Sequence, residues 1–190
     1  MSKRTSFFLV MLLFGVTANS HAIDLTLYGV PDTSRPEYAE QAYLRGEWQA
    51  KMVYINPDGT REPLDATGQI TAFYHSDGKT LQSCFRAPGF YSTDIQAFDE
   101  NEGKWRAHFL NANLQRWSHF TVEKSGETME RMVPGGFAGN AADIKTVARA
   151  ITGTSFKADV FQKSAETGAW VQTYEMTYTR APLSELGPHC

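Results

Sequence analysis

Residues 93–111 read TDIQAFDENEGKWRAHFLN, and this stretch decides the fold. Trp105, Ala107 and Phe109 alternate with Arg106 and His108, the period of a strand with one face buried. Gly103 closes the turn 100–103, where a tight connection requires positive φ, so 93–99 and 104–111 are the arms of a hairpin. The same grammar extends in both directions. Further turns stand at 56–59, 76–79, 124–127 and 165–168, and the segments between them are 47–55, 68–75, 80–86, 115–123, 128–133, 155–162 and 169–180. Trp48, Ala50, Met52 and Tyr54 share one face of the first; Trp170, Tyr174, Met176 and Tyr178 share one face of the last.

That makes about nine strands spaced by roughly 10 to 12 residues, the rhythm of a sandwich or barrel. Short turns make consecutive strands antiparallel. An open sheet of that length would leave two exposed edges, which closure removes, so the expected architecture is mainly β, an antiparallel up-and-down barrel. Two helices are expected beside it. The first begins at Ser34-Arg35-Pro36-Glu37, which has capping-box spacing, continues through Tyr38, Ala39, Ala42 and Tyr43, and ends at Gly46 across one end of the barrel. The second covers 140–151, with Asn140 as N-cap, Ile144, Val147, Ala148 and Ile151 as its apolar stripe, and Gly153 beyond its end.

The chain has 190 residues, of which 1–22 read as a secretory signal peptide: Lys3 and Arg4, an apolar run of about ten residues, and the small-x-small ending Ser20-His21-Ala22. The run is too short for the roughly 20 residues of a spanning helix. Cleavage after Ala22 leaves one domain at 23–190. It also removes two cations and no acid, which takes the formal charge from −3 to −5. An acidic chain without a basic run argues against nucleic acid as a partner. No second apolar stretch is long enough to span a membrane, so the expected place is the periplasm or outside the cell. Cys84 and Cys190 are the two cysteines, and an oxidising compartment makes them a candidate disulfide; the alternative is a free Cys84 facing the core.

The motifs Gly46-Glu47-Trp48, 73–78, Phe98-Asp99, Lys104-Trp105-Arg106-Ala107 and Gln115-Arg116-Trp117 resemble the calycin-type domains of unknown function related to lipocalins, over most of 35–180. The resemblance implies a barrel of roughly eight to ten antiparallel strands around a central cavity and carries over no catalytic residue. From true lipocalins the chain departs in lacking a Gly-x-Trp close to the mature N-terminus and a clear terminal arginine packed on it.

No motif specifies a reaction. His108 and His119 stand on neighbouring strands of one hairpin and could share a metal or a haem edge if both faced inward, but no His-x-His, His-Glu-x-x-His or Cys-x-x-Cys supports metal binding, and no metal or cofactor is expected. There is no Gly-x-Ser-x-Gly elbow. Charged residues set among apolar ones, Arg86, Arg106, His108, Glu130, Arg131 and Asp159, belong outside unless paired or bound to a ligand. The candidate ligand contacts are Arg86, Trp105, His108, Trp117, His119, Arg131 and Tyr178. Gly135, Gly136 and Phe137 form a candidate lid, glycine supplying freedom and the ring one apolar contact.

The leading expectation is a secreted binding protein whose barrel holds a small apolar or amphipathic molecule. The alternative is an enzyme that uses the same cavity for an isomerisation or cyclisation, with His108 or His119 as acid-base and Arg86 or Arg131 steadying an anion. A third class, an interaction module acting through its outer surface, would have a filled interior. Ligand identity and oligomeric state are not encoded in any motif.

Overall fold

The computed structural model describes residues 24–137 and 141–190. The proposed leader and Asn140 lie outside the described residues.

Ten strands form one closed antiparallel barrel: β1 Gly46–Ile55, β2 Arg61–Tyr74, β3 Thr80–Ala87, β4 Phe90–Asp99, β5 Lys104–Asn111, β6 Arg116–Ser125, β7 Thr128–Val133, β8 Ile144–Arg149, β9 Ser155–Lys163 and β10 Trp170–Arg180. Each strand pairs with its neighbours in sequence, and β1 pairs with β10, so no edge remains. This is the mainly β, antiparallel up-and-down barrel expected above, with ten strands where about nine were expected. The register sets the interior. Trp48 lies opposite Ile70, Ala72 opposite Ser83, Ser83 opposite Asp94, and Phe98 opposite Trp105, all on the inner face.

Both helix expectations are corrected. Residues 144–149 form β8, hydrogen-bonded between β7 and β9. Ile144, Val147 and Ala148 do recur at helical spacing, but Ile144, Thr146 and Val147 are β-branched and suit a pleated surface, and without this strand the barrel would stay open. The 34–46 segment makes two short 3₁₀ turns, Pro36–Ala39 and Ala42–Leu44, rather than one α-helix. The Tyr38 carbonyl, which an α-helix would offer to the Ala42 N–H, instead accepts the Tyr74 hydroxyl at 2.7 Å. Ser34 makes no side-chain cap; its N–H donates to Asp32 Oδ1 at 2.7 Å. The segment nonetheless lies across one end of the barrel, burying Tyr38, Gln41 and Leu44.

A register shift in β10 between Gln172 and Tyr174 also changes one face. Tyr174, Met176 and Tyr178 point inward, but the extra residue turns Trp170 outward, where the Lys145 ammonium sits 5.3 Å from its ring.

Arg180 supplies a feature the sequence did not reveal. Its guanidinium carbon stands 3.6 Å from the centroid of the Trp48 ring, and it donates to the carbonyl of Arg45. An arginine at the end of the last strand is therefore packed on Trp48, which corrects the expectation that none would be; the position of Gly46-Glu47-Trp48, away from the expected mature N-terminus, stays as read. Burial and the neighbouring Arg45 charge bring its pKa down to about 10.

The tail after β10 returns along the outside of the barrel. Cys190 is bonded to Cys84 on the outer face of β3, with Cα atoms 5.5 Å apart. Among the described residues no helix is long and apolar enough to cross a membrane.

Candidate functional site

The closed-end half of the barrel is solid. Trp48 and Trp105 are fully buried there against Ala50, Ala72 and Ala107, with Phe156 edge-on to Trp48 at 4.9 Å. Toward the other end the interior opens into a cavity of about 500 Å³. Leu44 forms part of its floor, Met52, Ile70, Phe85, Phe109 and Met176 stand in its walls, Phe90 borders it from the first position of β4, and Pro88 and Phe137 reach it from the loops at the mouth. The volume is within the ~300–1,000 Å³ typical of small-ligand sites, and the walls are chiefly apolar, as such sites are.

Two charged residues break that apolar wall, and they come from different strands. On β4 the inward positions are Phe90, Ser92, Asp94, Gln96 and Phe98, so the buried face of this strand is polar while Ile95 on its outer face is 48% exposed. Asp94 Oδ2 accepts from Ser83 Oγ at 2.8 Å, and Asp94 Oδ1 accepts from Gln96 Nε2 at 2.7 Å. Gln41 Nε2 donates in turn to Gln96 Oε1 at 2.9 Å, linking the acid to the floor segment. Burial pushes the Asp94 carboxyl above its ordinary range, against the opposing pull of the Arg131 charge and the two donors.

Arg131, inward on β7 opposite Thr146 of β8, is the second charge. Its guanidinium carbon lies 4.4 Å from the Phe120 ring centroid. Among the described residues it makes no ion pair within 4.0 Å and no hydrogen bond, Asp94 included. The Tyr43 and Tyr178 hydroxyls near it are kept neutral by burial, Tyr43 up to about 12 and Tyr178 higher still.

The expected contact residues separate. Arg131 and Tyr178 line the cavity, as does Phe137, 5.1 Å from Phe109 at the mouth. Gly135 and Gly136 hold the loop beside it at φ of 69° and 67°. A Cβ on Gly136 would stand 2.9 Å from the Ala142 carbonyl oxygen, so the loop folds tightly there. Trp105 belongs to the solid half, not the cavity wall. Arg86 is on the outer face, over the Tyr91 ring at 5.5 Å and donating to the His189 carbonyl at 3.3 Å. His108 and His119 lie directly opposite each other but outside, with Ile95 beside them, and Trp117 is 68% exposed. Parity is the reason: once Trp105, Ala107 and Phe109 turn inward, His108 must turn outward, and its partner His119 follows. Arg106 and Asp159 are outward too, paired with Glu102 at 3.0 Å and Arg149 at 2.5 Å. Among the described residues no group of three or more His, Cys, Asp or Glu gathers as a metal site would require.

Asp94 was missed. A signal for it existed in the hairpin: if Trp105 is inward, so is Phe98 opposite it, and Gln96 and Asp94 follow at steps of two.

No family model matches the chain, and no curated protein matches it. Among solved structures it is similar to the S-type phycobiliprotein lyase CPES from Guillardia theta, at 10% identity and a TM-score of 0.48, over 81% of this chain and 100% of that one.

Proposed function

We propose that this chain is a non-catalytic binding protein of an export compartment, its leader removed after Ala22, whose barrel holds one small apolar or amphipathic molecule. The observation that carries the reading is the cavity of about 500 Å³ at the mouth of a barrel otherwise filled by its own side chains. Apolar walls supply affinity by removing ligand surface from water at roughly 25 cal/mol per Å². Asp94 and Arg131 supply orientation, and Phe137, on its glycine-flanked loop, serves as the lid. The acid-base pair of the enzymatic alternative, His108 and His119, faces away from this space.

Native mass spectrometry of protein released from the periplasm tests both halves of the reading. The expected result is a chain beginning at Ile23 with a small molecule bound, the excess mass disappearing on denaturation. Purified protein should also take up N-phenyl-1-naphthylamine with a rise in its fluorescence, and Ala87→Trp at the mouth should reduce that uptake at least tenfold. A cavity that binds neither a native molecule nor this probe would overturn the proposal.

A further inference from the structure

Resting on that reading, the cavity's two unmatched charges narrow the class of ligand. Arg131 has its stem and guanidinium directed into the cavity, with an aromatic ring beneath it and no carboxylate or carbonyl bonded to it. A guanidinium carries five N–H donors in a planar fork that matches an oxyanion. Leaving them without an acceptor in a largely apolar space is costly, and a charged partner recovers that cost. The protein does not supply the partner. Asp94 lines the same cavity without reaching Arg131, and both its oxygens are engaged elsewhere, by Ser83 and Gln96.

We propose that the ligand is an organic monoanion with an apolar body, its carboxylate or equivalent oxyanion seated on the Arg131 guanidinium, and that Asp94 is protonated in the complex. Two negative charges facing one cation in a low-dielectric space would repel; a neutral Asp94 leaves the single positive charge to the ligand. Binding therefore draws a proton onto Asp94 whenever the free protein holds it ionised. The groups that face Asp94 are consistent with this assignment: Ser83 from β3, Gln96 from β4 itself, Phe109 opposite it on β5, and Arg131 from β7, with Arg131 the one charge among them. The tyrosines near Arg131, Tyr43 and Tyr178, remain neutral and offer no competing anion.

The test compares two probes that differ by one sulfonate, the neutral N-phenyl-1-naphthylamine and the anionic 1-anilinonaphthalene-8-sulfonate. The anion should bind the wild-type protein at least tenfold more tightly at pH 5, and its affinity should fall as the pH is raised toward 8 while that of the neutral probe stays level. Arg131→Gln should weaken the anion at least tenfold more than it weakens the neutral probe, and so abolish the preference. Asp94→Asn should keep the preference and remove its pH dependence. Neutral-probe binding with no preference for the anion in the wild type overturns this inference and leaves the binding reading standing; binding of neither probe overturns both. Because the wild-type comparison needs no variant, a poorly folding Arg131→Gln does not shelter the claim. An anion preference that survives in a folded Arg131→Gln also defeats it.

Discussion

At the closed end Trp48, Trp105, Phe120 and Phe156 fill the barrel, whereas toward the mouth Ile70, Phe85, Phe90 and Phe109 only surround a space. The same ten strands run through both halves, so strand number and tilt do not explain the difference. Side-chain pairing does. Each inward tryptophan at the closed end has small inward residues beside it: Ala50 follows Trp48 on β1, Ala107 follows Trp105 on β5, and Ala72 and Ala158 complete the layer. Large and small interdigitate there, and the 3₁₀ segment caps them, with Trp48 Nε1 donating to the Leu44 carbonyl at 2.8 Å. Toward the mouth no tryptophan turns inward, and rings of similar size face one another across the bore without a counterpart to fill the gap.

The comparison is most easily broken by truncating one ring in each half. Trp105→Ala should cost about 3–5 kcal/mol, because the surrounding strands cannot collapse into the space an indole leaves. Phe90→Ala, a half-buried ring at the edge of an existing cavity, should cost about 1 kcal/mol, since one side of the ring already borders open space. Urea unfolding of the two variants measures the difference. Equal losses would mean that the mouth-end half is as tightly packed as the closed end.

Next in size is the staple on the outer face. The bond between Cys84 and Cys190 spans 106 residues of sequence and ties the tail to the middle of β3, whose inward residues Ser83 and Phe85 flank Cys84 and border the cavity. Its loss through the paired substitution of both cysteines by serine should cost about 2–4 kcal/mol, mainly by freeing the unfolded chain. Protection of β3 amides against hydrogen exchange should fall more than that of β6, which lies three strands away round the barrel. Equal change in the two strands would place the effect wholly in the unfolded state.

Much of this organisation was legible in the sequence, and what was not has identifiable causes. Nine strands and the closed barrel followed from alternation and turn chemistry, which act locally. Strand β8 was misread because Ile144, Val147, Ala148 and Ile151 fit a helical stripe, and the demand that decides against it, closure between β7 and β9, is made by residues far away in sequence. For the site, Arg131 and Tyr178 were anticipated and lie on the cavity, while Arg86, His108, Trp117 and His119 were assigned to an interior they do not face. A polar residue on a strand does not announce its side; a neighbouring inward tryptophan does, and β4 shows that the buried side can be the polar one.

The polar face of β4 gives a smaller effect whose sign can be worked out. The Asp94 carboxyl is raised in the fold above the ordinary 3.8, so between 3.8 and its folded value the native state binds more protons than the unfolded chain. Stability from this group is complete below 3.8 and is lost as the pH rises through the folded value. Surface carboxylates such as Asp58 and Asp77 are lowered by their hydrogen bonds to Thr60 and Thr80, and they act the other way at lower pH. The useful quantity is therefore the difference between wild type and Asp94→Asn. Thermal unfolding from pH 4 to 8 should show the variant gaining relative stability with rising pH. A constant difference over that range would mean that Asp94 titrates alike in both states and that the low polarity assigned to the cavity is wrong.

The smallest effect belongs to the outer face. His108 and His119 oppose each other on exposed sheet, so His108→Ala removes a solvated ring and should change stability by no more than about 0.5 kcal/mol. It should leave uptake of N-phenyl-1-naphthylamine unchanged, while Phe109→Ala, one position along the same strand, alters the cavity wall and changes that uptake. Adjacent residues of β5 thus give opposite results because strand parity assigns them to opposite faces. If His108→Ala shifted probe binding as much as Phe109→Ala does, the inward face of β5 would be the histidine face, and the division between filled and hollow halves would have to be redrawn from the other side of the sheet.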